Sequence, residues 1–354
     1  MRRPSGAGAQ RLGANVSVDT ATSQPAWALH RFVSGGAVPM LSLVLLGLVA
    51  VFWLLLGDQI FGAGPLRSMA FQLPELGILS LAMMVTLLSG GLNLSIIATA
   101  NLCALTMAWV LTTQVPGAQG LMWGGWQVIA VLAGVAVAAI VGLINGFVIA
   151  YLGVSPILAT LGTMTMCKGL SIGLTRGNVI SGFPEPIVFL GNGTLAGVPV
   201  ALLIFLALCV PIAVLLGKSP FGHKVYMIGS SEKATRYSGV DTRRVLLGVY
   251  VLSSLLAVVA ALVMMARFNS ANAAYGESYL LVTILAAVLG GVNPLGGFGK
   301  VGGLIMALIL LQVISSAFNL LNFSPFLTVA IWGALIIVVT ALGVVIENFG
   351  ASKR

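Results

Sequence analysis

The sequence has few charged residues. Only 7% of its 354 residues are Asp, Glu, Lys or Arg, whereas 59% are hydrophobic. Soluble domains carry about a quarter charged residues. Apolar runs long enough to cross a bilayer recur along the chain, so the composition excludes an ordinary soluble domain. It predicts an all-α, multi-pass membrane protein.

Cysteine and histidine are also scarce. The three cysteines, Cys103, Cys167 and Cys209, fall inside apolar runs and lack C-x-x-C spacing. This pattern predicts small buried thiols rather than disulfides or metal ligands. The two histidines, His30 and His223, lie in separate polar segments. We therefore expect the chain to bind no metal and no other cofactor of its own.

Nucleotide-binding motifs are absent or misplaced. Residues 297–302 read GFGKVG, which matches G-x-G-x-x-G, but they lie between two apolar runs instead of after a strand. The Gly299-Lys300 pair lacks both the preceding glycine and the following Ser or Thr of a Walker A loop. If ATP drives this protein, the ATPase must be a separate polypeptide.

The apolar runs predict ten membrane spans with a short eighth member. The eighth is too short to cross a bilayer alone, which predicts a partial or re-entrant helix. Residues 1–37 are predicted to be a disordered cytosolic tail, 38–346 the membrane domain with a cytosolic loop at 218–244, and 347–354 a second cytosolic tail. The predicted spans are 38–57, 69–89, 92–113, 127–152, 156–174, 198–217, 245–266, 279–291, 301–321 and 325–346.

The excess of basic residues follows the predicted topology. The formal net charge is +9. With both termini inside, only Arg67, Arg176 and Arg267 fall on the outer side, while thirteen Lys and Arg fall on the inner side. This asymmetry is typical of the positive-inside rule. It predicts cytoplasmic termini and a lipid bilayer as partner, and no nucleic acid.

The loop 218–244 contains the pattern of a short helix. Ser231 is a suitable N-cap, Glu232 suits the first turn, and Gly239 suits the end after Ser238. Glu232 and Arg236 stand four apart in the order that favours an ion pair. A helix of two turns is unstable alone in water, so we expect it to dock against a partner.

Neutral polar side chains are distributed through the spans. Such side chains suit a neutral, polyhydroxylated solute, because hydroxyl groups pair with amides and hydroxyls without compensating charge. They suit hydrogen bonds between helices equally well. The candidates for a translocation path are Asn93, Ser95, Thr99, Asn101, Thr160, Thr163 and Asn293.

Two charged residues fall within the predicted spans. Glu75 follows Pro74 early in the second span, a pattern that predicts a helix N-terminus near the outer interface. It is the one acid that could serve an ion-coupled transporter. Lys168, in the fifth span, suits either a bond within the bundle or contact with a solute.

A short sequence recurs at a distance of two hundred residues. GGLN at 90–93 and GGVN at 290–293 each end one apolar run and begin another. The pattern predicts helix breaks at Gly90, Gly91, Gly290 and Gly291. Internal duplication, which is common in transporters, and a shared helix-turn chemistry explain the repetition equally well.

Four longer segments together resemble the permease subunits of sugar-importing ABC transporters of the ribose, xylose and galactose class. They are GILSLAMMVTLLSGGLNLS (77–95), SPILATLGTMTMCKGLSIGLTRG (155–177), GSSEKATRYSGV (229–240) and AAVLGGVNPLGGFGKVGG (286–303). The resemblance covers about residues 68–346. Asn93 departs from the usual Asp, and Asn293-Pro294 from small hydroxyl residues, so the identity of the sugar does not transfer.

The resemblance implies partners and a mechanism. It implies a type II-like permease in the inner membrane, paired with a second copy or a paralogue. A cytosolic ATPase would dock on the helix near 232–239, and a periplasmic sugar-binding protein would deliver a monosaccharide or similar solute. Permeases for branched-chain amino acids or nucleosides, and an ion-coupled secondary transporter, are the alternatives.

Overall fold

The computed structural model describes residues 37–324, 326–328, 330–334 and 337. This part of the chain is mainly helical, with a few two-residue strands. The helices are α1 (Ala37–Leu56), α2 (Asp58–Phe61), α3 (Ala63–Leu88), α4 (Ile96–Gln114), α5 (Leu121–Ala150), α6 (Pro156–Thr175), α7 (Glu185–Asn192), α8 (Val200–Lys218), α9 (Pro220–Ser230), α10 (Glu232–Tyr237), α11 (Thr242–Phe268), α12 (Tyr279–Leu289) and α13 (Val301–Leu320).

The strands form two small antiparallel ladders in the connecting segments. Strand β1 (Ile180–Ser181) pairs with β4 (Ser270–Ala271), and β2 (Thr194–Leu195) pairs with β3 (Val198–Pro199). The first ladder joins the segment after α6 to the segment after α11. It therefore ties together two loops at the same end of the bundle.

The helices match the predicted spans closely. Within the described residues, α3, α4, α5, α6, α8, α11 and α13 are long and apolar enough to cross a membrane. The first predicted span is α1, and the tenth lies largely outside the described residues, as do the two predicted tails. The prediction of an all-α multi-pass membrane protein is confirmed.

Helix α12 is the predicted short element. It has 11 residues, which corresponds to about 16 Å at a rise of about 1.5 Å per residue. The hydrocarbon core is about 30 Å thick. A partial helix in the eighth position is therefore confirmed.

Helix α3 lies at the centre of the bundle. Every residue from Gly77 to Leu88 is buried, and α3 packs against α8, α11, α12 and α13. Helix α11 in turn packs closely on α5. A Cβ added at Gly142 or at Gly146 would lie 2.7 or 2.8 Å from the Cα of Val251 or Leu247, so these glycines permit the close approach that small-x-x-x-small spacing predicts.

The surroundings of Glu75 differ from the prediction. Helix α3 begins at Ala63, so Pro74 and Glu75 lie inside the helix and not at its N-terminus. Glu75 is fully buried and forms an ion pair with Arg267, in the last turn of α11. The arginine balances the charge of the buried acid, and the pair joins α3 to α11. The predicted helix start at Pro74 and Glu75 was wrong, because it was inferred from a local pattern. The ion-pair partner of Glu75 is Arg267, which is far away in the sequence, and a local pattern does not reveal it.

Candidate functional site

Helices α8, α9 and α10 form a continuous arm at one end of the bundle. Ser219 caps α9 by accepting a hydrogen bond from the amide of Gly222 at 3.1 Å, and Pro220 occupies the first turn. Helix α9 was not predicted from the sequence. The Ser-Pro pair was the available signal, because both residues favour a helix start.

Helix α10 begins and ends where its caps predict. The Ser231 hydroxyl accepts a hydrogen bond from the amide of Ala234 at 3.3 Å. Gly239 has a φ of 82°, a left-handed conformation that favours glycine after a helix. The i,i+4 ion pair is not present among the described residues: Glu232 instead contacts the Thr242 hydroxyl of α11 at 3.5 Å. The tertiary contact with α11 replaces the local pair with Arg236.

The outer face of α10 is exposed and carries an aromatic side chain. Tyr237 is 92% exposed, and Glu232, Lys233, Arg236 and the C-cap residue Ser238 are also exposed. Exposed aromatic residues next to basic ones are typical of contact sites for other proteins. Tyr237 was not a predicted site residue, although its position in the short helix could have indicated it.

Glycines join the arm to the core, at a place that we call the glycine junction (Gly90, Gly229, Gly296 and Gly297). A Cβ on Gly229 would overlap the carbonyl oxygen of Leu88, at the end of α3, and the amide of Gly297. That amide donates to the Leu88 carbonyl at 3.0 Å. Backbone packs directly on backbone here, because only glycine allows this approach.

Tyr226 adds a second tie between the arm and the 293–299 loop. Its hydroxyl donates a hydrogen bond to the carbonyl of Gly299 at 2.7 Å. Burial raises the pKa of the Tyr226 phenol above its ordinary value, so the hydroxyl stays protonated at neutral pH and remains a donor. The arm therefore contacts both the end of α3 and the loop that connects α12 to α13.

The two repeated glycine motifs adopt the same helix ending. The amides of Gly90 and Gly91 donate to the carbonyls of Leu87 and Thr86. The amides of Gly291 and Val292 donate in the same way to those of Val288 and Ala287. Both are Schellman endings with glycine in the left-handed conformation, at Gly90 and Gly291. The two motifs are offset by one residue, which favours shared helix-turn chemistry over duplication.

Buried polar side chains converge on the break between α3 and α4. Asn93 donates to the Ser253 hydroxyl at 3.0 Å and accepts from the Ser95 hydroxyl at 2.7 Å. Asn145 donates to Ser95 at 2.9 Å and accepts from Thr163 at 2.7 Å. One connected network thus joins α3, α4, α5, α6 and α11, since Ser253 also donates to the carbonyl of Ala82 at 2.9 Å.

The network accounts for the amide at position 93. The Ser253 hydroxyl already donates its proton to α3, so its oxygen can only accept from residue 93. An amide supplies that donor, whereas an ionised carboxylate accepts only. Thr160 extends the network by accepting from the amide of Leu94 at 3.2 Å.

The other predicted path residues lie in separate places. Thr99 is buried within α4. Asn101 donates to the carbonyls of Ala273 and Tyr275 at 3.0 and 2.9 Å, and thereby holds the loop before α12. Asn293 accepts from the amide of Leu295 at 2.9 Å, inside the loop of the glycine junction. The structure therefore brings Asn93, Ser95, Thr160 and Thr163 together and leaves the remaining three apart.

A cavity of about 420 Å³ lies beside α10. It is bounded by the loop between α5 and α6, by Ser89–Gly91, and by Glu232, Arg236 and Arg243. Arg243 stacks on the ring of Tyr151, with 5.7 Å between the guanidinium carbon and the ring centre. Because this side of α10 borders open space, the helix can shift without displacing packed side chains.

The three cysteines are free and buried, which confirms the predicted thiols. Within the described residues, no cluster of His, Cys, Asp and Glu could hold a metal ion. This end of the molecule thus contains an exposed short helix, a backbone junction and a buried polar network.

Comparison with known proteins gives consistent matches. A family described as the permease component of a branched-chain amino acid transport system matches residues 66–340. The autoinducer 2 import system permease protein LsrD of Salmonella typhi is 32% identical over 270 residues, which cover 75% of this chain and 78% of that protein. The LsrD protein of Yersinia pseudotuberculosis serotype O:3 (strain YPIII) has the same identity and coverage. No solved structure matches.

Proposed function

Because the chain belongs to this family of ABC-importer permeases, we propose that it carries a neutral, sugar-like, polyhydroxylated solute across the bacterial inner membrane. The ATPase of such a system is a separate subunit, and a substrate-binding protein is a further component. The similarity to permeases that are named for autoinducer 2 import supports a sugar-like solute over a branched-chain amino acid.

The observation that carries the proposal is the exposed helix α10 on an arm that reaches the core. We propose that the ATPase docks on α10, with Tyr237 as the central contact. ATP-driven movement of α10 would then reach α3 and the 293–299 loop through the glycine junction. A backbone-to-backbone contact transmits displacement well, because it contains no side chain that can change rotamer.

The distribution of charge supports a cytoplasmic position for α10. Arg176 and Arg267 lie at the opposite end of the bundle, near α7 and the β1–β4 ladder. The end that carries α10 bears many more basic residues, as expected for the inner side of a bacterial membrane protein. These residues are Lys218, Lys224, Lys233, Arg236, Arg243, Arg244 and Lys300.

We further propose that the permease works as a dimer with a second copy or a paralogue. Helix α6 supports this arrangement, because most of its residues are not buried by the rest of the described chain. Its exposed side includes Gly162, Gly169 and Gly173, and a Cβ at any of these would meet no described atom within 4 Å. Small residues of this kind permit close helix approach in a membrane.

The test is reconstitution of the complete importer. The chain would be co-expressed with the ATPase and binding protein encoded beside it, and placed in liposomes. ATP hydrolysis would be measured with D-ribose, D-xylose, D-galactose, leucine or uridine. We expect hydrolysis to rise only with the binding protein and a sugar. Stimulation by leucine or uridine instead would contradict the proposed solute, and the absence of any associated ATPase would contradict the proposed mechanism.

A further inference from the structure

Lys168 of α6 forms an ion pair with Glu277, in the loop that precedes α12. The ammonium nitrogen lies 2.7 Å from a carboxylate oxygen. Both side chains remain about half exposed, at 45% and 50%. The pair differs from Glu75 and Arg267, whose acid is fully buried. Its exposure therefore requires an explanation beyond joining α6 to the loop before α12.

The loop that carries Glu277 is held in position by buried bonds. Asn101 of α4 donates to the backbone carbonyls of Ala273 and Tyr275. The Tyr275 hydroxyl lies 2.9 Å from the hydroxyl of Ser270, in β4. Because these contacts anchor the loop on both sides of residue 274, Glu277 is presented to Lys168 from a supported backbone.

The pair lies at a depth where exposure to lipid is costly. Lys168 stands seven residues before the end of α6 at Thr175, which is about 10 Å along the helix axis. A charged side chain at such depth costs free energy in hydrocarbon and normally faces water or protein. The side of α6 that carries Lys168 therefore faces a water-filled space or another subunit.

The side of α6 that carries Lys168 has both polar and apolar residues. Thr165, one turn before Lys168, is exposed, and Leu161 and Ile172 on the same side are 41% and 44% exposed. Leu170 is exposed to a similar extent, at 48%. Two residues along a helix correspond to a rotation of about 200°, so the Leu170 side chain points away from Lys168.

We infer that Lys168 and Glu277 line the translocation path in its outer half and form hydrogen bonds with the hydroxyl groups of the solute. This inference rests on the proposed function. An ammonium group offers three donors and a carboxylate offers acceptors. Together they can donate a hydrogen bond to a hydroxyl group and accept one from it. The pair has no net charge, which suits a neutral polyhydroxylated solute, and its loop connects it directly to α12.

Thiol labelling tests whether the pair faces water. Lys168→Cys, Glu277→Cys and the control Leu170→Cys would each be made in the complete importer in liposomes. Membrane-impermeant reagents of positive and negative charge would be added from outside. The native cysteines are buried, so the wild-type importer provides the background.

The two cysteine variants should prefer reagents of opposite charge. Lys168→Cys leaves the Glu277 carboxylate alone and should react several-fold faster with the cationic reagent. Glu277→Cys leaves Lys168 alone and should prefer the anionic one. Leu170→Cys should react only with a membrane-permeant maleimide. If Lys168→Cys behaves like Leu170→Cys, the pair faces lipid and the inference is wrong.

Uptake measurements separate solute contact from a merely structural tie. Lys168→Met and Glu277→Gln should each lower the uptake rate of the stimulating sugar about tenfold, since each removes one charge-assisted hydrogen bond. The exchange Lys168→Glu with Glu277→Lys keeps the tie but reverses donor and acceptor. Uptake should remain low in this double variant, and recovery to the wild-type rate would overturn the inference.

The two experiments also separate this inference from the proposed function. Labelling does not require transport, so the opposite charge preferences of the two cysteine variants test whether the pair faces water, independently of uptake. A wild-type importer that hydrolyses ATP without taking up any sugar of the panel would contradict the proposed function. If the wild-type importer takes up sugar, and Lys168→Met and Glu277→Gln take it up at the same rate, only the inference is contradicted.

Discussion

At the residue scale, the charged side chains in the described part of the chain differ in burial and in partner. Glu75 is fully buried and pairs with Arg267, which is 22% exposed, and this pair joins α3 to α11, whereas the charged residues of α10 are exposed. Burial therefore distinguishes side chains that stabilise the bundle from those available to a partner. Two predictions follow from individual residues.

Loss of the buried acid should destabilise the bundle. Glu75→Gln leaves the charge of Arg267 without its partner. Breaking a fully buried pair from one side costs about 3–5 kcal/mol, and because Arg267 is 22% exposed, we expect the cost here to fall below that range. The double variant with Arg267→Gln removes both charges and should be less destabilised than the single one. Thermal unfolding of the detergent-solubilised protein would measure both, with the exposed Glu185→Gln as control.

Ion coupling makes the opposite prediction for the same variants. If Glu75 carried a proton, the single and double variants would both lose uptake while remaining folded, and uptake would depend on the proton gradient rather than on ATP. Equal stability of wild type and Glu75→Gln would show that the pair is not structural.

Loss of the exposed aromatic residue should weaken ATPase binding. Tyr237→Ala removes a 92% exposed ring from α10, and truncation of such a central contact commonly costs about 2 kcal/mol or more. Co-purification of the ATPase should therefore fall more than tenfold, while the permease itself remains folded. Tyr237→Phe keeps the ring and should bind nearly as well, and wild-type co-purification by Tyr237→Ala would exclude this contact.

At the scale of elements, the glycine junction and the polar network have complementary roles. The junction connects α9 to the end of α3 through backbone contacts, and the network holds α3, α4, α5, α6 and α11 together. A displaced α10 would therefore move the end of α3 at Leu88, while the network holds the middle of α3 at Ala82 to the other four helices. Helix α3 is central and buried along half its length, so its movement affects every helix it contacts.

A methyl group in the junction should disturb this connection. Gly229→Ala places a Cβ against the backbone of Leu88 and Gly297, and such overpacking costs about 1–3 kcal/mol. We expect ATP hydrolysis to become less dependent on the binding protein and uptake to fall. Gly217→Ala, whose Cβ would meet no described atom within 4 Å, is the matched control. Normal coupling in Gly229→Ala would show that the junction does not transmit movement.

At the scale of the whole molecule, both ends of the bundle have recognisable features. One end carries α9, α10, the cavity and most basic residues, and the other carries α7 and the two small ladders. We propose that the first end faces the cytoplasm and the second the binding protein. This orientation determines which partner meets which surface.

Single cysteines at the two ends test the orientation. Ser238→Cys, at the exposed C-cap of α10, should react with an impermeant thiol reagent only in inside-out vesicles. Leu195→Cys, in the β2–β3 hairpin and 54% exposed, should react only in right-side-out vesicles. The opposite pattern would invert the topology, and the wild-type protein controls for the buried native thiols.

Local properties of the sequence were sufficient to predict the membrane spans and the short helix α10. Hydropathy, caps and helix-ending glycines depend on residues within a few turns, so the spans, the short α12, and the caps Ser231 and Gly239 could be predicted. Helix α9 was missed because the Ser-Pro start was read as part of a loop. The Glu232–Arg236 pair failed because Thr242, ten residues away, provides a competing contact.

Composition and local sequence patterns were therefore enough to establish an all-α membrane protein, the approximate positions of its membrane spans and the family that it resembles. The partners of the polar and charged side chains came from the three-dimensional structure alone. Asn93, Asn101 and Asn293 are chemically identical, yet one joins helices, one holds the Glu277 loop and one closes a turn. The reason is physical: hydropathy is a sum over neighbouring residues, whereas a hydrogen bond or an ion pair depends on which distant helix lies within about 3 Å.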